Sequence, residues 1–138
     1  VKTSGSKGYH LVVPLDGKSK RNDVEAFAHR VGALLVQRYP AQLTQEFHKK
    51  DRGTRILVDT GRNGYSATFA AAYAVRARPG APISAPVTWD EVIEGNVHPK
   101  SFTVRNMAAG VRDVGDLWDD MRRRKRSLRR AAEKLKKL

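Results

Sequence analysis

The 138-residue chain alternates between stretches that repeat apolar residues at strand spacing and stretches that repeat them at helical spacing. Tyr9 to Leu15 is an apolar, β-branched run closed by Asp16-Gly17, which predicts a strand ending in a turn. From Asn22, a residue suited to an N-cap, to Tyr39, the apolar side chains Val24, Phe27, Val31, Leu34 and Leu35 return at helical intervals until Pro40 stops the pattern. That spacing predicts one amphipathic helix. A weaker helical pattern over Ala41 to Lys50 runs into HKKDRG, and RILVDT, Arg55 to Thr60, then predicts a short, mostly buried strand.

The next segment is ambiguous. In SATFAAAYAVRAR, Ser66 to Arg78, the alanines favour helix and the flanking turn residues favour strand, and we read it as mostly extended. RPGAPISAPVTW carries three prolines and a glycine and reads as a loop, followed by a brief helix started by Thr88 or Asp90 and ended by the turn Glu94-Gly95-Asn96. From Asp116 the pattern predicts helix to the last residue, with Leu117, Met121, Leu128, Ala132 and Leu135 forming an interrupted apolar stripe.

Composition changes this picture mainly through charge. There are 27 basic residues against 14 acidic ones, a net charge of +13, and residues 117–138 alone hold ten Lys/Arg against three Asp/Glu. Such a balance points to a polyanionic partner, nucleic acid ahead of membrane phospholipid. The length suits about one domain, and 40% hydrophobic residues supply a modest core. The absence of cysteine excludes disulfides and thiolate metal sites and fits a cytoplasmic location. No long apolar stretch predicts a membrane span or a signal peptide, so no membrane partner is expected.

The candidate chemistry begins in TSGSKGYH. Gly5 and Gly8 permit a sharp turn or a close backbone approach, and Ser4, Ser6, Lys7 and His10 crowd hydrogen-bond donors around it. An anion suits such a loop, as does the plainer reading of a solvated turn. It is not a Walker A loop, which needs a longer glycine spacing and a following helix; here a strand follows. Asp59 is an acid within Ile56, Leu57 and Val58, costly to bury unless it meets a cation or a metal, and unremarkable if it lies at a wetted strand end. Arg52 and Arg76 flank it in sequence, and each is a candidate to reach a triphosphate or a nucleic-acid phosphate. His29, His48 and His98 form no pair with zinc-protease spacing, and no Ser-His-Asp set is evident.

Four blocks in order, TSGSKGYH, RILVDTGRN, AAYAVRARPGAPISAPVTWDEV and GDLWDDMRRRKRSL, resemble the polymerase (primase-polymerase) domain of bacterial end-joining ligase D, in the archaeo-eukaryotic primase superfamily. The resemblance implies a template-directed nucleotidyltransferase that extends DNA ends during double-strand-break joining, often favouring ribonucleotides, with Mn2+ or Mg2+ as cofactor. Implied partners are primer-template DNA, an NTP or dNTP, Ku and a DNA ligase. By motif position Ser4, Gly5, Lys7, Gly8, His10, Arg52 and Arg76 hold the incoming nucleotide, and Asp59 matches the third metal-binding carboxylate. Lys49, Lys50, Arg52 and Arg62 are the candidates for DNA contact.

The departures also matter. The family's Asp-x-Asp pair belongs some tens of residues ahead of the glycine-rich loop, whereas three residues precede Ser4 here, so two of the three metal ligands are expected to be missing. Neither Asp16 nor Asp119-Asp120 replaces them. Thr60 stands where an aromatic is usual, Arg62 where glutamine is common, and AAAY where Ala-Pro-Tyr is usual. The expected fold is α+β: a central mixed sheet with flanking helices, primase-like and lacking its N-terminal half, that brings the glycine-rich loop and Asp59 to one cleft. Residues 1–115 are read as the C-terminal portion of the catalytic domain and 116–138 as its basic C-terminal helix. The alternative is a non-catalytic, basic nucleic-acid-binding module.

Overall fold

The computed structural model describes the backbone of residues 1–138 and every side chain except that of Arg122. The chain forms two units, Val1–Pro14 with Ala70–Arg126, and Leu15–Phe69 with Ser127–Leu138.

In the first unit, β1 (Lys2–Thr3) and β2 (Tyr9–His10) pair antiparallel, Lys2 opposite His10 and Thr3 opposite Tyr9, so the glycine-rich loop is the turn of a hairpin. The hydrophobic centre lies elsewhere in the sequence. Pro82–Val87, expected from its prolines to be part of a loop, is buried at every position, with Ala85 and Ser84 fully enclosed. It is hydrogen-bonded on several sides. Thr3 N–H donates to Ala85 O at 2.8 Å, Arg76 N–H to Pro82 O at 2.8 Å, Ser84 N–H to Ala74 O at 3.0 Å, and Ile83 N–H to Phe102 O at 2.7 Å. The two prolines lack the donor a regular ladder needs, which limits the segment to isolated bridges such as Val75 to Ile83 and Pro82 to Thr103. Proline content therefore signalled irregular pairing, and not exposure.

Around this segment the predicted Thr88 start is present. Thr88 caps α2 (Trp89–Ile93) through a reciprocal capping box with Glu91, and Gly95, at φ 74°, follows its end. A further helix, α3 (Met107–Val114), was not foreseen; Asn106 precedes it and Gly115, at φ 77°, closes it. The Tyr73 hydroxyl donates to Asp116, whose carboxylate also accepts the Trp118 N–H at 2.8 Å. Partial burial, and then this bond, push the Tyr73 phenol far above its ordinary range, while the Tyr73 bond and then the Trp118 amide hold Asp116 below the usual carboxylate value.

In the second unit, α1 spans Arg21–Arg38, one residue off the predicted range at each end, with Lys20 at the N-cap in place of Asn22. Its one buried residue is Gly32, where a Cβ would lie 2.5 Å from Gln45 Nε2 and 3.0 Å from Thr60 Cγ2. A small residue is needed there. The expected helix from Ala41 to Lys50 is replaced by β3 (Leu43–Thr44) and a short 3-10 turn, Lys49–Asp51. β3 pairs in parallel with β4 (Ile56–Leu57), Ile56 N–H donating to Gln42 O and Val58 N–H to Thr44 O, both at 2.8 Å. Strand pairing thus outcompetes a weak helical preference.

The expected continuous C-terminal helix is also interrupted. Residues Asp119–Arg122 make a 3-10 turn, and α4 covers only Leu128–Leu135, packed against α1 with Leu128 buried. In a continuous helix Lys125 would neighbour Arg129 and Arg126 would neighbour Arg130, like-charge pairs four residues apart that disfavour it. Asp119 and Asp120 pair with Arg123 and Arg124. The class is α+β as expected, but the pairing is spread over two two-stranded sheets and isolated bridges, in place of one broad sheet. Among the described residues no helix is long and apolar enough to cross a membrane.

Candidate functional site

In the first unit the hairpin turn is built by Ser4. Its Oγ accepts the N–H groups of Ser6 and Gly8, each at 3.1 Å, and its own N–H donates to Gly8 O at 2.9 Å. Three of the loop amides are thereby spent on closing the turn, which leaves side chains as the groups suited to an anion. Gly5 sits at φ 61°, and a Cβ there would fall 2.6 Å from Arg76 Cγ. The bare glycine face thus lets the Arg76 side chain lie directly against the loop. Lys7 is exposed at the apex, and neither Lys7 nor Arg76 makes an ion pair among the described residues. Four of the sequence-predicted residues, Ser4, Gly5, Gly8 and Arg76, are therefore in one locality with Lys7, and His10 lies on the returning strand β2 opposite Lys2.

Beneath this loop is a polar layer that sequence reading missed. Lys2 is fully buried on β1; its ammonium contacts His10 Nδ1 at 2.7 Å and donates to Ser84 Oγ. Ser84 Oγ in turn donates to Thr3 O at 2.7 Å, and Thr3 Oγ1 donates to Ile83 O at 3.0 Å while accepting the Ala85 N–H at 2.9 Å. Burial, and then the nearby Arg76 charge, lower the Lys2 ammonium from 10.5 to about 8. No local signal reveals this layer, because Ser84 lies more than eighty residues from Lys2.

In the second unit Asp59 is exposed beyond the end of β4. Its Oδ1 accepts the Gly61 N–H at 3.1 Å, and its Oδ2 lies 3.4 Å from Arg62 Nε. Asp59 is therefore the wetted strand-end carboxylate of the plainer expectation, with an arginine as its cation. Arg62 also donates to Thr68 O at 3.3 Å. Arg52 folds back, donating from Nε to Glu46 O at 2.8 Å and from Nη2 to Phe47 O, which commits part of its fork to the backbone. Lys49 and Lys50 are exposed on the preceding 3-10 turn. Thr60, next to Asp59, meets His29 Nδ1 of α1 at 3.0 Å.

The metal expectation meets a limit here. Among the described residues no group of three or more His, Cys, Asp or Glu is placed to hold an ion. One carboxylate already paired with an arginine is too few for two divalent cations.

Comparison with known proteins places these observations in a family. The model for the LigD primase-polymerase domain matches residues 1–118. A multifunctional non-homologous end joining protein LigD from Pseudomonas aeruginosa is 39% identical over 92 residues, covering 67% of this chain and 11% of that protein. A LigD DNA repair protein from Mycobacterium tuberculosis is 39% identical over 100 residues, covering 72% of this chain and 13% of the relative. The solved structure described as the polymerase domain from Mycobacterium tuberculosis ligase D in complex with DNA superposes with a TM-score of 0.80 at 32% identity, over 87% of this chain and 41% of that one. The chain therefore spans a small fraction of its curated relatives and less than half of the solved polymerase chain. With the hairpin loop, the Asp59 strand and the Arg76 segment in family order, the chain belongs to the LigD primase-polymerase domain family.

Proposed function

We propose that this chain supplies the nucleotide-holding part of a template-directed nucleotidyltransferase that extends DNA ends during non-homologous end joining, a cytoplasmic process on the chromosome. The observation that supports this most is the hairpin turn. Ser4 closes it, Gly5 admits the Arg76 side chain, and Lys7 stands exposed beside them. Two cations without acidic partners among the described residues, at one tight turn, suit the β- and γ-phosphates of an NTP or dNTP. Their role is to bind and orient the triphosphate and to offset the charge that accumulates on the leaving pyrophosphate.

In the same reading Lys49, Lys50, Arg52 and Arg62 meet the phosphates of primer-template DNA, with Ku and a DNA ligase as the wider partners. The relative solved in complex with DNA supports DNA as a ligand. Mn2+ or Mg2+ would supply Lewis-acid activation of the primer hydroxyl. Asp59 is this chain's prospective ligand, and it would have to exchange Arg62 for the ion. The described residues do not complete such a site, so the 138-residue chain is expected to bind nucleotide without polymerising it.

The test is titration of the chain with ATP, followed by 31P NMR or calorimetry. Lys7→Ala and Arg76→Ala are each expected to weaken binding about tenfold or more, in the range of a charge-assisted contact. Binding untouched by both, with DNA affinity abolished by removing residues 127–138, would instead favour a non-catalytic nucleic-acid-binding module. Extension of a primed template by this chain alone would refute the assignment of Asp59 as its single metal-binding carboxylate.

A further inference from the structure

One fully enclosed polar side chain near the loop, Lys2, is outside the set assigned to nucleotide contact. An ammonium has three N–H donors and no acceptor. At 2.7 Å from His10 Nδ1 it must therefore donate, and Nδ1 must offer its lone pair. A neutral imidazole that accepts at Nδ1 carries its proton on Nε2. The direction of the network is fixed from the other side as well. The Ser84 hydroxyl proton is directed to Thr3 O at 2.7 Å, so Ser84 receives from Lys2. Lys2 is thus anchored by a fully buried serine, itself anchored to the β1 backbone, and the anchored ammonium faces one specific ring nitrogen.

We infer that Lys2 is a positioning residue that holds His10 as the Nε2–H tautomer and prevents its conversion to imidazolium, so that the loop presents a neutral donor at His10 beside the cations Lys7 and Arg76. The consequence for binding rests on the nucleotide reading above: a neutral Nε2–H donates to a phosphate or sugar oxygen without adding charge. A second positive charge on the ring would face the Lys2 ammonium across a single hydrogen bond, an arrangement that a buried site strongly disfavours. The lowered Lys2 value agrees with a tightly enclosed, crowded cation that still keeps its proton at neutral pH.

Long-range 1H–15N correlation spectra of the full 138-residue chain test this directly. His10 is assigned by its loss in His10→Gln, against His29, His48 and His98. At pH 7 the wild-type His10 is expected to show an unprotonated Nδ1 and a protonated Nε2, with no ordinary titration near ~6.5. Lys2→Met is expected to restore that titration and mix the tautomers. It is also expected to weaken inorganic triphosphate binding about fivefold, the size of one neutral hydrogen bond.

Because burial makes Lys2→Met prone to misfolding, the wild-type protein offers a second readout. The His10 nitrogens are expected to shift as pH crosses about 8, where Lys2 loses its proton. Among the charged groups that act with Lys2 are the Arg76 guanidinium and the Val1 amino group, and N-terminal acetylation silences the latter. On β2, the Tyr9 hydroxyl is occupied with Val97 O at 2.5 Å. A protonated Nδ1, an ordinary His10 titration, or His10 signals that stay flat through pH 8 would each overturn the inference. Triphosphate binding lost in Lys7→Ala with His10 behaving as an unconstrained histidine would retain the nucleotide reading and discard this one. The reverse pattern would discard the nucleotide reading alone.

Discussion

Helix α1 and the segment Pro82–Val87 invert the usual relation between pattern and burial. The helix has the clearest periodicity in the chain and follows it almost to the residue, yet Gly32 is its one buried position and Leu35 is 37% exposed. The segment, with its prolines, has no usable periodicity. Even so, six consecutive residues are buried and their backbone groups bond to β1, to residues 74–76 and to Phe102. Local pattern governs which backbone conformation a stretch adopts, because that is settled by neighbours three or four residues away. Enclosure depends on partners brought from far along the chain, and a proline-rich stretch is enclosed readily when its remaining amides and carbonyls are taken up.

The contrast makes measurable claims. Ile83→Ala should remove a nearly fully enclosed side chain and cost about 2–5 kcal/mol in urea denaturation, while Leu35→Ala on α1 should cost less than about 1 kcal/mol. Equal losses at the two sites would overturn the contrast. Thr3→Val keeps the shape of the side chain but strands the buried Ala85 N–H, with an expected loss of about 1–3 kcal/mol. The matching change Thr60→Val, which removes a bond to the exposed His29, should alter stability by less than about 0.5 kcal/mol.

A further effect is a pH dependence. The folded-state value of Lys2 lies below its unfolded one, so the unfolded chain binds more protons between the two and stability rises with pH through that window. The cost of burying the charge is fully present below about 8 and is relieved above it. Between about pH 8 and 9.5 the wild type should gain roughly 1 kcal/mol relative to Lys2→Met, before tyrosine ionisation intervenes. A Lys2→Met profile parallel to the wild type would remove Lys2 as the source.

Much of the candidate site was legible from residue types. The turn at Gly5 and Gly8, the exposed ammonium of Lys7 and the Thr88 helix start follow from chemistry confined to a few adjacent residues. The hairpin register and the lodging of Arg76 against Gly5 were not, since residue 76 meets residue 5 only after a long excursion of the chain. The Ala41 to Lys50 stretch was misread because its weak helical periodicity carries no record of the β4 strand that pairs with it. Arg52 and Arg62 were legible as cations, while their engagement with Glu46 O, Phe47 O and Asp59 appears only once the loops close.

Composition and local order indicated a basic, cysteine-free α+β chain with a glycine-rich turn near its first residues, and four motif blocks carried the resemblance that the LigD primase-polymerase family model bears out over residues 1–118. Folding settled which polar groups are enclosed and which way their protons point. Lys2 is written in the sequence as one more lysine among many, and becomes a buried donor to His10 only when Ser84 arrives beside it. The reason is one of range: turn and helix preferences arise from steric and hydrogen-bond terms between near neighbours. Desolvation, by contrast, is imposed on a side chain by whatever distant segments the chain packs around it.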